Sequence, residues 1–218
     1  MSNLNEEEEE EIEEEEKEEG ENIKVILVGD PGTGKTSLIN VSVGQKFKEK
    51  SDSTLLSTFV QKKFQKDGKD YILNIWDTAG QEKYRAMTKI FIKDSKIVIF
   101  VYAINNKESF VGLQAYWLRS IKEALGEEPV YGMVGNKCDL FMKEEVKEAD
   151  GKKYAEENGM KFQLVTAKED PDGFIDFLHT LFLDFLDKEA GPKRKTIFIN
   201  KDDVAEDKKQ NKVKCCKK

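Results

Sequence analysis

The sequence has few cysteines and no long apolar run. Its 218 residues include three cysteines, two of them adjacent at Cys215 and Cys216. An odd number with an adjacent pair does not fit a disulfide framework, so a reducing compartment is expected. No run of 18 apolar residues is present, so no transmembrane helix is predicted. The first residues lack the apolar core of a secretion signal, and no internal repeat is evident.

Charge is abundant but unevenly distributed along the chain. Residues 1–20 carry twelve glutamates and one lysine, whereas residues 191–218 carry ten Lys or Arg against four Asp or Glu. Like charges four residues apart repel along any helix, so residues 1–21 are predicted to be a disordered acidic extension. The rest of the chain is predicted to be a single, nearly neutral domain over residues 22–190, followed by a basic tail over residues 191–218.

Apolar runs alternate with amphipathic segments through the domain. IKVILVG, KIVIFVYAI, PVYGMVG and KFQLV predict strands, and TFVQKKFQKDGKDYILNIWD predicts a hairpin around Asp67-Gly68. Strands that alternate with helices imply right-handed βαβ units, so the fold class is α/β with a mostly parallel sheet and one antiparallel edge. Helices are predicted over residues 35–47, 107–126, 144–159 and 172–191.

A glycine-rich stretch, GDPGTGKTS, follows the first predicted strand and precedes a predicted helix. It matches the pattern G-x-x-x-x-G-K-[ST] in full. Glycines let successive backbone amides curl around an anion, and the helix directs its positive end to the same place. Lys35 adds charge toward the β- and γ-phosphates, and the Thr36 hydroxyl can bind Mg²⁺. We therefore predict a nucleoside-phosphate site rather than a simple turn, formed by Gly29, Asp30, Pro31, Gly32, Thr33, Gly34, Lys35, Thr36 and Ser37.

The NKCD segment, residues 136–139, indicates which purine is bound. It lies at the carboxyl end of a predicted strand, where open α/β sheets bind ligands. The Asp139 carboxylate can accept hydrogen bonds from the N1–H and N2 amino groups of guanine. Adenine lacks both donors in that arrangement, and an unpaired buried carboxylate is costly. By itself NKCD could be a capped turn, but downstream of the glycine loop it favours guanine.

These segments resemble the Ras superfamily of small GTPases, and within it the Rab family most closely. The motifs that carry the resemblance are GDPGTGKT, STLLSTF, WDTAGQEKYR, NKCD and TAK, and it covers about residues 22–190. It implies a P-loop α/β domain with a mostly parallel six-stranded sheet flanked by five helices. It also implies a slow GTP hydrolase that cycles between GTP- and GDP-bound states with Mg²⁺ and recruits effectors in vesicle trafficking.

The resemblance further implies a role for each matching residue. Gln81 would orient the attacking water, and Phe47 would lie against the guanine ring. Thr54 would close onto Mg²⁺ and the γ-phosphate, and Gly80 would offer its N–H to that phosphate. Asp77 would hold Mg²⁺ through water. The other residues implied for guanine binding are Asn136, Lys137, Asp139, Thr166, Ala167 and Lys168, and those implied for Mg²⁺ are Thr36, Thr54 and Asp77.

Partners also follow from the resemblance. They are a guanine nucleotide exchange factor, a GTPase-activating protein, a GDP-dissociation inhibitor or escort protein, and effectors that contact the trio Phe59, Trp76 and Phe91. Cys215 and Cys216 resemble the Rab di-cysteine ending, where both sulfurs carry prenyl chains, and two chains give stable anchoring. The Rab resemblance as a whole implies a monomer without a nucleic-acid partner. It also implies a location on the cytoplasmic face of intracellular membranes, with a cytosolic pool.

Three positions depart from the Rab pattern. Pro31 removes an N–H donor and fixes φ close to where Gln81 must act. Leu56 stands where Rab-like chains usually have glycine, and Ala103 replaces an acidic residue. A second hypothesis is therefore a weakly hydrolysing guanine-nucleotide-binding scaffold. A third, an ATP-using P-loop kinase, is opposed by NKCD and DTAGQ.

Overall fold

Six strands form one sheet in the computed structural model, which describes residues 20–49, 58–78, 91–125 and 128–191. The sheet order is β2-β3-β1-β4-β5-β6, and β2 is antiparallel to β3 while the other neighbours are parallel. The predicted mostly parallel sheet with one antiparallel edge is confirmed. The strands are β1 (Glu21–Val28), β2 (Thr58–Lys66), β3 (Lys69–Asp77), β4 (Ile97–Ala103), β5 (Val130–Asn136) and β6 (Lys161–Leu164).

Five α-helices flank the sheet among the described residues, as expected. A π-helical turn, Leu113–Trp117, joins the second helix to the third, and a 3₁₀ helix, Cys138–Lys143, follows β5. In the described ranges, no helix is both long enough and apolar enough to cross a bilayer. The helices are α1 (Lys35–Ser42), α2 (Lys107–Gly112), α3 (Leu118–Ala124), α4 (Glu148–Glu157) and α5 (Pro171–Glu189).

The two faces of the sheet bury separate apolar clusters. All residues of β4 are buried, because this central strand is covered on both sides. On β3, Tyr71, Leu73 and Ile75 belong to the first cluster, to which α1 and α5 also contribute. The second cluster packs α2, the π-helical turn, α3 and α4 against the other face. This alternation follows the two-residue period of a strand.

The first predicted helix is shorter than its pattern indicated. The prediction over residues 35–47 is wrong beyond Ser42, because Gly44 has a φ of 82° and its N–H donates to the Val41 carbonyl. A left-handed glycine of this kind is a common helix terminator. The chain then leaves the helix axis, which frees Phe47 to pack against the first cluster.

The helix predicted over residues 144–159 also begins later, at Glu148. The N–H groups of Glu145 and Val146 both donate to the Ile104 carbonyl, at 2.8 and 3.1 Å. These backbone bonds tie the preceding segment to the chain after β4, so it cannot join the helix.

The hairpin turn between β2 and β3 is confirmed, because Asp67 and Gly68 have φ values of 52° and 76°, as a type I′ turn requires.

One edge of the sheet collects the predicted site segments. β1, β4 and β5 run parallel and end at Val28, Ala103 and Asn136, so the glycine loop and NKCD leave the sheet on the same side. This is the edge where open α/β sheets bind ligands. Within the predicted acidic extension, Gly20 and Glu21 are described, and residues 1–19 lie outside the described ranges. The tail from residue 192 onward, with Cys215 and Cys216, lies outside them as well.

Candidate functional site

The glycine loop between β1 and α1 lies tightly against its neighbours. A Cβ atom on Gly29, whose φ is 147°, would lie 2.1 Å from the Val101 carbonyl oxygen. A Cβ on Gly34, whose φ is 94°, would lie 2.3 Å from Nδ2 of Asn136. Gly32 also has a positive φ, 73°. Side chains would therefore clash at Gly29 and Gly34, so both positions require glycine. Glycine backbone with positive φ is the kind that can bind an anion through its amides.

Lys35 is the first residue of α1, and its amine lies beneath the loop. The residue is only 5% exposed. Its Nζ donates to the carbonyl oxygens of Gly29 at 2.8 Å and Asp30 at 3.0 Å. Burial lowers the pKa of Lys35 to about 8, although the charges of Asp77 and Asp30 act in the opposite direction. A buried ammonium at the start of a helix is well suited to a phosphate, because the negative charge of the anion would offset the hydration that the ammonium has lost.

Thr36 and Asp77 bring together two oxygen atoms that could bind a metal ion, one residue after Lys35 and at the end of β3. Thr36 Oγ1 donates to Asp77 Oδ2 at 2.7 Å, and Asp77 is 3% exposed at the end of β3. Mg²⁺ prefers hydroxyl, carboxylate and water oxygens in octahedral geometry. The pair therefore fits a Mg²⁺ ion, which the Thr36 hydroxyl and the Asp77 carboxylate would hold.

The NKCD segment is hydrogen-bonded directly to the glycine loop. Asn136 is 1% exposed, and its Nδ2 donates to the Thr33 carbonyl at 2.8 Å. Lys137 has a left-handed φ of 65°, and its Nζ donates to the Gly32 carbonyl at 2.6 Å. Burial lowers the pKa of Lys137, and the charge of Asp139 opposes this effect. Hydrogen bonds therefore join two segments that lie more than 100 residues apart in the sequence.

Asp139 is fixed from the side of β6. Its Oδ1 accepts from Thr166 Oγ1 at 2.7 Å, and Thr166 Oγ1 in turn accepts from the backbone N–H of Lys168 at 3.2 Å. Thr166 and Ala167 are buried, at 5% and 4% exposure. The hydroxyl orients the carboxylate, so Asp139 presents an ordered acceptor to a base. The predicted TAK segment and NKCD therefore meet as expected.

Phe47 belongs to the segment after α1, and Lys168 belongs to the TAK segment. Phe47 is half-buried and packs against the first apolar cluster. Lys168 Nζ lies 3.2 Å from Glu49 Oε1, which joins the segment after α1 to the TAK segment. Three predicted residues, Thr54, Gly80 and Gln81, lie outside the described ranges, so their positions in the site stay predictions.

Comparison with known proteins agrees with this geometry. A family model described as "Ras family" matches residues 24–182. The chain belongs to the Ras family. Rab-21 of Geodia cydonium is 39% identical over 171 residues, 78% of this chain and 72% of that protein. Rab-21 of Homo sapiens is 37% identical over 163 residues, covering 75% and 70%. Rab-26 of Rattus norvegicus is 40% identical over 151 residues, covering 66% and 56%. The chain is thus a Rab-like small GTPase, of the kind that acts in vesicle trafficking.

The three aromatic residues that resemble the Rab effector trio lie together. The rings of Phe59 and Trp76 stack with centroids 5.0 Å apart, and the rings of Trp76 and Phe91 are 5.9 Å apart. Phe59 is 49% exposed, and Lys24 Nζ lies 5.1 Å from the Trp76 ring centroid. The trio therefore offers an apolar surface beside a cation on the β2-β3-β1 part of this Ras-family domain.

Sequence reasoning missed two residues that contact the glycine loop. Trp117 Nε1 donates to Asp30 Oδ1 at 2.9 Å, and the Gly112 backbone lies against the same carboxylate. The apolar pattern of residues 107–126 predicted a plain amphipathic helix, with Trp117 in its core-facing stripe. The available signal was the indole N–H, because a buried tryptophan needs a hydrogen-bond acceptor.

Proposed function

We propose that this Rab-like chain binds GTP and GDP with Mg²⁺, hydrolyses GTP slowly alone, and is switched by protein partners. The observation that carries the proposal is the pair of hydrogen bonds from Asn136 and Lys137 to the carbonyls of the glycine loop. They hold the guanine-selecting segment at a constant distance from the phosphate-binding amides. A guanine nucleotide is the ligand that satisfies both segments at once.

Each described site residue has a chemical task in this proposal. The loop amides and the Lys35 ammonium bind the β- and γ-phosphates, and Thr36 with Asp77 would hold Mg²⁺. When bound, the ion neutralises charge that develops on the phosphates. Asp139 selects guanine by accepting from its N1–H and N2 amino groups, while Thr166 keeps the carboxylate oriented.

Hydrolysis and switching rest on residues outside the described ranges. Gln81 would orient the attacking water, and Thr54 and Gly80 would contact the γ-phosphate. A site of this type hydrolyses on the order of 10⁻⁴ per second alone, and about 10⁵-fold faster when a partner supplies an arginine. Loss of the γ-phosphate would release the loops that carry Thr54 and Gly80. Exchange factors, activators and effectors would therefore distinguish the GTP-bound from the GDP-bound state.

Membrane attachment completes the proposal. Prenyl chains on Cys215 and Cys216 would anchor the domain at the cytoplasmic face of intracellular membranes, and basic residues of the tail would add attraction to anionic lipid. A GDP-dissociation inhibitor or escort protein would maintain a cytosolic pool. Effectors would bind the loops that carry Thr54 and Gly80 together with Phe59, Trp76 and Phe91. The exposure of Phe59 and the ring contacts within the trio support this role.

Single-turnover GTP hydrolysis tests the proposal. We expect Gln81→Leu to slow hydrolysis at least tenfold without weakening GDP binding, because the residue orients water only in the reaction. Gln65→Leu is the matched control, since Gln65 is an exposed glutamine on β2 that hydrogen-bonds Asp70. A wild-type rate no faster than that of Gln81→Leu, even with cell extract, would instead support the weakly hydrolysing scaffold suggested by Pro31 and Leu56.

A further inference from the structure

Asp30 is an acidic residue inside an anion-binding loop, and its side chain is bound by a helix. Its carboxylate accepts a hydrogen bond from Trp117 Nε1, 2.9 Å from Oδ1. On the other side, a Cβ on Gly112 would lie 2.2 Å from Oδ2, so the carboxylate lies against bare helix backbone. Trp117 is 1% exposed, which leaves its indole little freedom to move. Both oxygens of Asp30 therefore contact the α2–α3 region.

The π-helical turn explains how one helix provides both contacts. Gly112 and Trp117 are five residues apart, and in an α-helix of about 3.6 residues per turn they would face different directions. The wider turn over Leu113–Trp117 brings them to the same side. Single π-helical turns inside α-helices are frequent at functional sites. The π-helical turn therefore places the indole N–H of Trp117 and the bare backbone of Gly112 next to the Asp30 carboxylate.

The backbone of Asp30 faces the site while its side chain faces the helix. Its carbonyl oxygen accepts from Lys35 Nζ and from Thr33 Oγ1, each at 3.0 Å. A carboxylate that turned toward the bound phosphates would repel them. At a separation of about 6 Å and an effective dielectric constant of about 40, as for a partly solvated loop, such repulsion amounts to roughly a tenfold change in binding.

We propose that Trp117 and Gly112 are positioning residues that hold the Asp30 carboxylate away from the phosphates, and so set nucleotide affinity. This inference rests on the proposed guanine-nucleotide site. It assigns a role in phosphate binding to residues of α2 and the π-helical turn, which contact no nucleotide in the proposal.

A double-mutant cycle tests this role. The readout is the dissociation rate of a fluorescent GDP analogue from the full-length protein in excess Mg²⁺. We expect Trp117→Phe to raise the rate about tenfold, because the freed carboxylate can rotate toward the phosphates. On an Asp30→Asn background, the same change should alter the rate less than twofold, since a neutral amide does not repel phosphate. A purely structural role for Trp117 predicts an equal increase in both backgrounds, and that result would overturn the inference.

Further variants keep the test independent of folding. Gly112→Ala retains the indole but displaces the carboxylate, so it should also raise the GDP dissociation rate. Combining it with Asp30→Ala should remove that increase. Phe110→Leu is the packing control: this buried α2 residue should leave the rate unchanged. In a Trp76→Phe background Trp117 is the remaining tryptophan. Asp30→Ala, which removes the acceptor, should shift its emission without any nucleotide, and an unchanged emission would refute the contact. If the wild type retains no GDP, the nucleotide site itself is refuted. If the wild type binds GDP and the variants dissociate it at the wild-type rate, only this inference is refuted.

Discussion

Proton uptake on nucleotide binding is the sharpest consequence of the Lys35 environment. In the free protein the amine is buried beneath the glycine loop and its pKa is lowered to about 8. A bound phosphate would stabilise the ammonium and raise this pKa again. Binding above pH 8 must therefore take up a proton at Lys35, and nucleotide affinity must fall as the pH rises through that value.

The size of the effect follows from the two protonation states. With a pKa of about 8 in the free protein, roughly three quarters of the Lys35 amines are neutral at pH 8.5, and about a tenth at pH 7. We expect GDP binding to take up about 0.7 proton at pH 8.5 and about 0.1 at pH 7 through this residue. Titration calorimetry in two buffers with different ionisation enthalpies measures the uptake directly.

Two variants separate Lys35 from other titrating groups. Lys137 also has a pKa lowered by burial, and the guanine base titrates in alkali, so total uptake alone does not identify the residue. Lys35→Arg keeps a permanent charge and should remove most of the pH dependence of uptake, whereas Lys137→Arg should leave most of it. Equal uptake in wild type and Lys35→Arg would refute the reasoning.

The same shift makes the stability of the free protein depend on pH. The pKa of Lys35 in the folded state lies below its ordinary value of 10.5, so the unfolded chain binds more protons between pH 8 and 10.5. The contribution of Lys35 to the free energy of unfolding therefore rises with pH across this window, by up to about 3 kcal/mol. Comparing denaturant unfolding of wild type and Lys35→Met at several pH values isolates this contribution.

Three other changes have definite expected outcomes. Asp139→Asn replaces a carboxylate acceptor by an amide that also donates, so competition binding should show weaker GDP binding and relatively stronger binding of xanthosine diphosphate; an unchanged preference for guanine would contradict the role of Asp139. Gly29→Ala should lower the free energy of unfolding by about 2 kcal/mol or more, because its methyl would meet the β4 backbone, whereas Gly44→Ala, with a positive φ but open space, should cost about 1 kcal/mol. Similar losses in both unfolding curves would argue against that steric explanation. Changing Cys215 and Cys216 to Ser should make a fluorescently tagged chain diffuse in its own cell, and a diffuse signal with both cysteines intact would remove the membrane proposal.

The local motifs were readable from the sequence because they encode their own backbone. Gly29 and Gly34 occupy positive-φ positions where Val101 and Asn136 would block any larger residue, and both lie within six residues of Lys35. The strand pattern was equally direct, since β4 is buried at every position and its sequence is almost continuously apolar. The fold class, the backbone of the glycine loop and the position of NKCD after β5 therefore follow from short-range patterns.

Helix limits and long-range contacts were decided only in three dimensions. The pattern of residues 107–126 predicts one amphipathic helix, yet packing against the second face of the sheet accommodates a π-helical turn that brings Gly112 and Trp117 to the same carboxylate. The bond from Asn136 to the Thr33 carbonyl spans 103 positions, and the bond from Trp117 to Asp30 spans 87. Side chains so far apart along the chain meet only after strand order and register have aligned their strand ends. The sequence alone determined which chemical groups this GTPase carries, whereas the tertiary structure decided which of them touch, because hydrogen bonds depend on distances that no local periodicity encodes.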